Sequence, residues 1–212
     1  MGNPRTDAFA ATAATIIKKL ERNGMEGHYC ETSAEAVELV KQLVPEGSSV
    51  AWGGTETFKE TGVKAALEAG DYRMLDRSVA KTPEEARTIY QQHFASDAFF
   101  MSTNAITLDG ELVNIDGNSN RLACLLFGPQ QVIVLAGMNK VVTDVDAGIK
   151  RVRAMACPPN AARLHTNTPC EHTGTCANCH AEGCMCCNVV VTRHSRAKGR
   201  IKVILIAENL GF

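Results

Sequence analysis

The chain has 212 residues, 45% of them hydrophobic, enough to bury one sizeable core. Lysine and arginine number 22 against 23 aspartate and glutamate, so no basic face is announced and no nucleic-acid partner is expected. The opening MGNPRTDAFA lacks the apolar core of a signal peptide, and nothing reaches the roughly 18 apolar residues of a membrane span, so a cytoplasmic protein is expected.

The elements follow in chain order. Met1-Gly2 with Thr6 meets the loose N-myristoylation pattern, which often arises by chance. Phe9, Ala13, Ile16 and Leu20 recur at helical spacing, and Asn23-Gly24 supplies a stop. Thr32-Ser-Ala-Glu35 resembles a capping box, with Val37, Val40 and Leu43/Val44 on one face of the helix it opens. A short strand at Ser49–Trp52 runs into Gly53-Gly54-Thr55, and Thr55 is placed to cap a short helix ending near Gly62. Thr82-Pro83-Glu84-Glu85 is a strong helix start, and Ala86, Ile89, Tyr90 and Phe94 mark the inner face.

The segment 97–103 (DAFFMST) reads as a buried strand, and 108–113 (LDGELV) as two short strands around an Asp-Gly turn. The run 131–136 (QVIVLA) is apolar throughout and too short for a helix. Helical spacing returns over 143–156 with Val145, Ile149, Val152 and Met155/Ala156 inward, and Pro158-Pro159 is expected to stop it. A last strand occupies 200–207 (RIKVILIA). Helices alternating with short apolar strands predict an α/β fold, a mainly parallel sheet flanked by helices. One domain is expected over 1–212, with a Cys-rich loop at 166–199 inserted before the final strand. A connection that long without regular structure is improbable in a compact domain unless something pins it, and a metal would.

Nine cysteines are present, and six fall between Cys170 and Cys187, which makes packing alone an unsuitable explanation. Their spacing is Cys170-x5-Cys176-x2-Cys179-x4-Cys184-x-Cys186-Cys187. In a reducing compartment such clusters are more often metal ligands than disulfides. Thiolates suit a 4Fe–4S cluster, which takes four of them. Zinc fits the two Cys-x2-Cys pairs equally well, Cys176 with Cys179 and Cys184 with Cys187. Cys176-Ala-Asn-Cys179-His180 matches the c-type haem pattern literally, but no export signal accompanies it. The remaining reading is reactive thiols without metal.

Three stretches carry a resemblance. They are Leu108–Gly137 with Asn139-Lys140-Val141-Val142, then Ala156-Cys157-Pro158-Pro159-Asn160, then Pro169-Cys170 through Cys187-Asn188 to Gly199-Arg200-Ile201. Together they resemble the lactate-utilization (LUD) domain family, from about Val50 to the C-terminus. The central stretch strings Asp116, Asn120, Arg121, Gly128-Pro129 and Lys140 in order. The resemblance implies a fold like ribose-5-phosphate isomerase and CoA transferases. It also implies a part in oxidation of lactate or another organic acid alongside iron–sulfur oxidoreductase partner subunits. The family pattern would take Cys170, Cys176, Cys179 and Cys187 as ligands, with Cys184 and Cys186 as alternatives.

In an open α/β sheet, ligands sit at the carboxyl ends of strands. Gly53, Gly54 and Thr55 lie at such a junction, where glycines admit close backbone approach and free amides favour an anion. Asn104, Asp116, Asn118, Asn120 and Arg121 form a polar group, and Arg121 is suited to a carboxylate. Lys140 follows another strand and could supply charge. No nucleophile–base pair stands at a recognisable spacing, so no catalytic residue is assigned. Two other classes stay open: a non-catalytic scaffold subunit folded around zinc, and an isomerase- or transferase-like enzyme acting on an anionic small molecule.

Overall fold

The computed structural model describes residues 4–212, so the N-myristoylation pattern at Met1-Gly2 lies outside the described residues. The chain opens with helix α1 (Pro4–Arg22), strand β1 (Glu26–Cys30), α2 (Ser33–Leu43) and β2 (Ser49–Trp52). Then come α3 (Thr57–Glu60), α4 (Val63–Glu68), β3 (Arg73–Met74), α5 (Pro83–Phe94) and β4 (Ala98–Met101). A hairpin of β5 (Ala105–Thr107) and β6 (Leu112–Asp116) precedes α6 (Asn120–Leu126), β7 (Gln131–Gly137) and β8 (Val141–Val142). The remainder is α7 (Val145–Arg151), α8 (Cys157–Leu164), α9 (Pro169–Thr173), β9 (Asn188–Thr192) and β10 (Ile201–Ile206). Among the described residues no helix is long and apolar enough to cross a membrane.

Six strands form one wholly parallel sheet in the order β1-β10-β7-β4-β2-β3. Its central strands read as unbroken apolar runs because both faces are covered. Along β7, Val132, Val134 and Ala136 pack with Ala13, Ile16 and Leu20 of α1 and with Leu122 and Leu125 of α6. Ile133 and Leu135 point the other way, toward Ala36 and Val40 of α2, Phe58 of α3 and Val63 and Leu67 of α4. Phe58 stacks on Phe100 with ring centroids 4.8 Å apart. Arg200 closes the apolar α6 by donating to the carbonyls of Cys124, Leu125 and Pro129, a cation at a helix C-terminus.

A second, four-stranded sheet runs β8-β5-β6-β9. Here β6 pairs antiparallel with β5 and with β9, and β8 joins β5 in parallel. This sheet takes in part of the Cys-rich segment. The segment carries α9 and β9, and β9 is hydrogen-bonded along β6 from Leu112↔Thr192 to Asp116↔Asn188. Ladder hydrogen bonds tie residues 188–192 to β6, while residues 174–187, with five of the six clustered cysteines, stay outside helix and strand.

Four local expectations are corrected. Pro158-Pro159 do not end the helical segment. A wide π turn over Val152–Ala156 intervenes, with the Cys157 N–H bonding the Val152 carbonyl, and both prolines occupy the first turn of α8. The wide turn absorbs the donors that proline lacks. Met155 is exposed and Ala156 alone of that pair is buried. On α5 the buried residue is His93, whose Nε2 lies 2.7 Å from the Leu75 carbonyl oxygen, while Phe94 is exposed. Thr55 does not cap a helix; Glu56 stands at that position without a side-chain cap, while α3 does end beside Gly62, whose left-handed backbone follows the Thr61 cap and leads into α4.

Candidate functional site

A cavity of about 540 Å³ opens at the carboxyl ends of the parallel strands. β2 delivers Gly54 and Thr55, β4 delivers Ser102, Thr103 and Asn104, and β7 delivers Lys140. The junction of β6 and α6 contributes Asp116, Asn120 and Arg121. The opposite wall is the cysteine loop, through Cys184, Cys186 and Cys187, together with Cys157. The fold therefore brings the polar candidates and part of the cysteine cluster to one cavity. Cys170, Cys176 and Cys179 do not line it, and Gly53 stands just behind it.

Arg121 is the centre of the polar group. Nε donates to Asp116 Oδ2 at 3.1 Å, Nη1 to Asn114 Oδ1 at 2.7 Å and to the Ser102 carbonyl at 3.0 Å. Nη2 donates to Asn104 Oδ1 and to the Ile115 carbonyl, both at 3.1 Å. Those bonds engage all five guanidinium donors. Burial pulls the guanidinium below its ordinary value, and Asp116 opposes that. The expected carboxylate-binding role for Arg121 therefore gives way to a structural one: it ties β4, β6 and α6 together under the cavity. Gly53 serves the same packing. A Cβ there would lie 3.0 Å from the Arg121 stem, so its glycine admits a side chain of the protein rather than a ligand.

Lys140 is 3% exposed. Its Nζ donates to Ser102 Oγ at 2.9 Å and to Thr57 Oγ1 at 3.3 Å, two hydroxyls and no carboxylate. Burial, then the charges of Arg151 and Arg121, bring it down to about 7, against the weak pull of Glu60. Gly211 crosses directly above, where a Cβ would meet Thr57 Oγ1 at 2.6 Å and Lys140 Nζ at 3.2 Å. Arg151 donates to the carbonyls of Asn139, Asn104 and Phe212. Thr55 Oγ1 is buried beside the cavity with no hydrogen-bond partner.

All nine cysteines are free thiols. Cys157, buried in α8, has its Sγ 3.2 Å from that of Cys186. That contact lowers Cys157 and raises Cys186, and either thiol can donate in it. Cys184 neighbours both Cys179 and Cys186. Cys187 is exposed, and its thiol turns back to the Cys184 carbonyl at 3.4 Å. Among the described residues no three His, Cys, Asp or Glu side chains converge to hold a single metal ion. The donors present are soft thiols spread around one loop, the type an iron–sulfur cluster takes, since its ligands bind different irons and need not meet at one point.

Sequence reasoning passed over Ser102, Thr57, Asn114, Arg151 and Cys157. Ser102 had a usable signal, since it follows the apolar β4 directly and so sits at a strand's carboxyl end. Asn114 was legible as the polar residue at the centre of β6, fully buried with an apolar neighbour on either side. Thr57, Arg151 and Cys157 come from helices distant in sequence, and only the fold brings them in.

A family model described as LUD domain matches residues 13–206. The match therefore takes in the second half of α1 and all of α2, beyond the stretch from Val50 on which the resemblance rested. Among solved structures, a DUF162 family protein from Deinococcus radiodurans aligns with a TM-score of 0.54 at 12% identity, covering 93% of this chain and 98% of that one. That likeness shows the fold. The eIF2B delta structure from Chaetomium thermophilum aligns with a TM-score of 0.36 at 18% identity over 53% of this chain and 48% of that one, and carries no argument. No curated protein matches the sequence.

Proposed function

The chain belongs to the LUD domain family, and from that membership we propose that it takes part in oxidation of lactate or a related organic acid, with its cysteine loop holding an iron–sulfur cluster. The observation that carries this reading is the shared cavity: one wall is the cysteine loop, and the other is the polar floor of Ser102, Asn104 and Lys140. An organic acid bound there would lie beside the thiol-rich wall. Among the described residues Arg151 bonds only backbone carbonyls, and with Arg121 it gives the floor a positive field that favours an anion.

Cys170, Cys176 and Cys179 with one of Cys184 or Cys186 are the proposed ligands. Cys187, the family-pattern choice, is less supported because its thiol faces its own turn and solvent. A cluster in that position supplies one-electron transfer to an oxidoreductase partner. The protein's own groups would bind the acid and keep its carboxylate at the floor.

Protein purified without oxygen should be brown, with about four irons and about four acid-labile sulfides per chain. Cys176→Ser should lower both, and Cys187→Ser should leave them unchanged. Colourless protein with stoichiometric zinc would replace this reading by the zinc-folded scaffold.

A further inference from the structure

We propose that Lys140 is a covalent site for a small 2-oxo acid, its side-chain amine adding to the ligand's carbonyl carbon to form an imine within the cavity, with the hydroxyls of Ser102 and Thr57 moving the protons. The substrate class rests on the organic-acid reading above, since oxidation of a 2-hydroxy acid yields a 2-oxo acid. The imine itself rests on the geometry of the floor.

The first observation is placement. Lys140 lines the cavity at the end of β7 while nearly all of its length is buried, so the amine is presented at a fixed point and shielded from bulk water. The second is its company. An ammonium in a protein interior is normally matched by a carboxylate, and here Nζ meets Ser102 Oγ at 2.9 Å and Thr57 Oγ1 at 3.3 Å instead. The charged groups acting on it are Arg151 from α7 and Arg121 from α6, both repelling a proton, with Glu60 of α3 opposing more weakly. Glu60 is engaged elsewhere, accepting from the Gly211 N–H at 2.5 Å. A neutral amine with a free lone pair is the state such surroundings favour. The same two arginines that disfavour ammonium favour a carboxylate next to it, which selects a 2-oxo acid over a neutral aldehyde or ketone.

The step balances without an oxidant or reductant. The Nζ lone pair forms the C–N bond, and the carbonyl electron pair moves to oxygen, which takes a proton through Ser102. Loss of the remaining nitrogen proton and departure of the oxygen as water leave the C=N bond. One amine and one carbonyl give one imine and one water.

The test uses the full chain with pyruvate and cyanoborohydride at neutral pH, followed by peptide mass mapping. The expected result is one reduced adduct on the peptide carrying Lys140, formed about tenfold or more faster than on any surface lysine, because a surface amine is almost wholly protonated there. Acetone should label that peptide more slowly than pyruvate. Ser102→Ala should slow labelling of Lys140 while leaving surface labelling unchanged, and Lys140→Arg should abolish the fast adduct. Labelling confined to surface lysines at equal rates in the parent and in Lys140→Arg overturns the proposal, and the parent's map decides it even if a variant folds poorly. Equal rates with acetone and pyruvate overturn the 2-oxo acid assignment. Iron and sulfide content is read independently, so loss of the imine and loss of the cluster reading are separate outcomes.

Discussion

Arg121→Met should destabilise the protein by about 3 to 5 kcal/mol, a change read from urea unfolding at neutral pH. The guanidinium ties β4, β6 and α6 together through five bonds, all between 2.7 and 3.1 Å. Removing it leaves the Asp116 carboxylate, only 13% exposed, without its cation. It also leaves Asn114 Oδ1 and two carbonyls short of a donor, and Asn104 Oδ1 with only the Ile115 N–H. Arg121→Lys should recover little, because an ammonium cannot address acceptors spread around a planar fork. Asp116→Asn should be milder, since an amide oxygen still accepts from Nε. A variant within about 1 kcal/mol of the parent would show the network to be dispensable. Where an Arg121 variant is destabilised as expected, its loss of ligand binding follows from collapse of the floor, which a binding assay alone would misread as a lost carboxylate contact.

The parallel sheet was legible because its central strands are apolar on both faces, a pattern that β7 shows after Gln131 and β10 after Lys202. β1 was not, since Glu-Gly-His-Tyr-Cys has no such pattern; an edge strand needs only one covered side and its identity comes from pairing with β10. β9 hid for a similar reason. Asn188–Thr192 is short, half exposed and next to the cysteines, and its strand character appears only when β6 lies beside it. The site divides along the same line. Strand-end residues such as Gly54, Asn104 and Lys140 could be found because topology puts ligands at carboxyl ends. Their roles could not, because a role depends on partners. Arg121 looked like an anion binder until its five donors were counted, and Lys140 looked like a charge until its hydroxyl neighbours appeared. Cys157 stands outside the clustered six in sequence, yet its thiol touches Cys186 of the loop.

Raising the pH from 7 to 8.5 should stabilise the protein by about 1 to 2 kcal/mol through Lys140, and Lys140→Met should remove that gain. The sign follows from where the proton sits. Unfolded, the lysine holds its proton up to 10.5; folded, it gives it up at about 7. Between those values the unfolded chain binds more protons, so stability rises with pH, and the full penalty of burying the charge acts below 7. Across the whole window the effect is on the order of 4 to 5 kcal/mol. Cys30 and Cys124 work against it at the alkaline end, since burial pushes both up to about 11 and each loses stability as pH rises above the usual thiol range. The comparison is therefore made below 8.5, and as parent against variant, so that shared titrations cancel. Methionine matches the lysine stem in length and carries no charge, while Ser102 and Thr57, with oxygens 3.5 Å apart, still have each other. Equal slopes in parent and variant would mean that Lys140 keeps its proton when folded, and the neutral amine that imine formation needs would be absent.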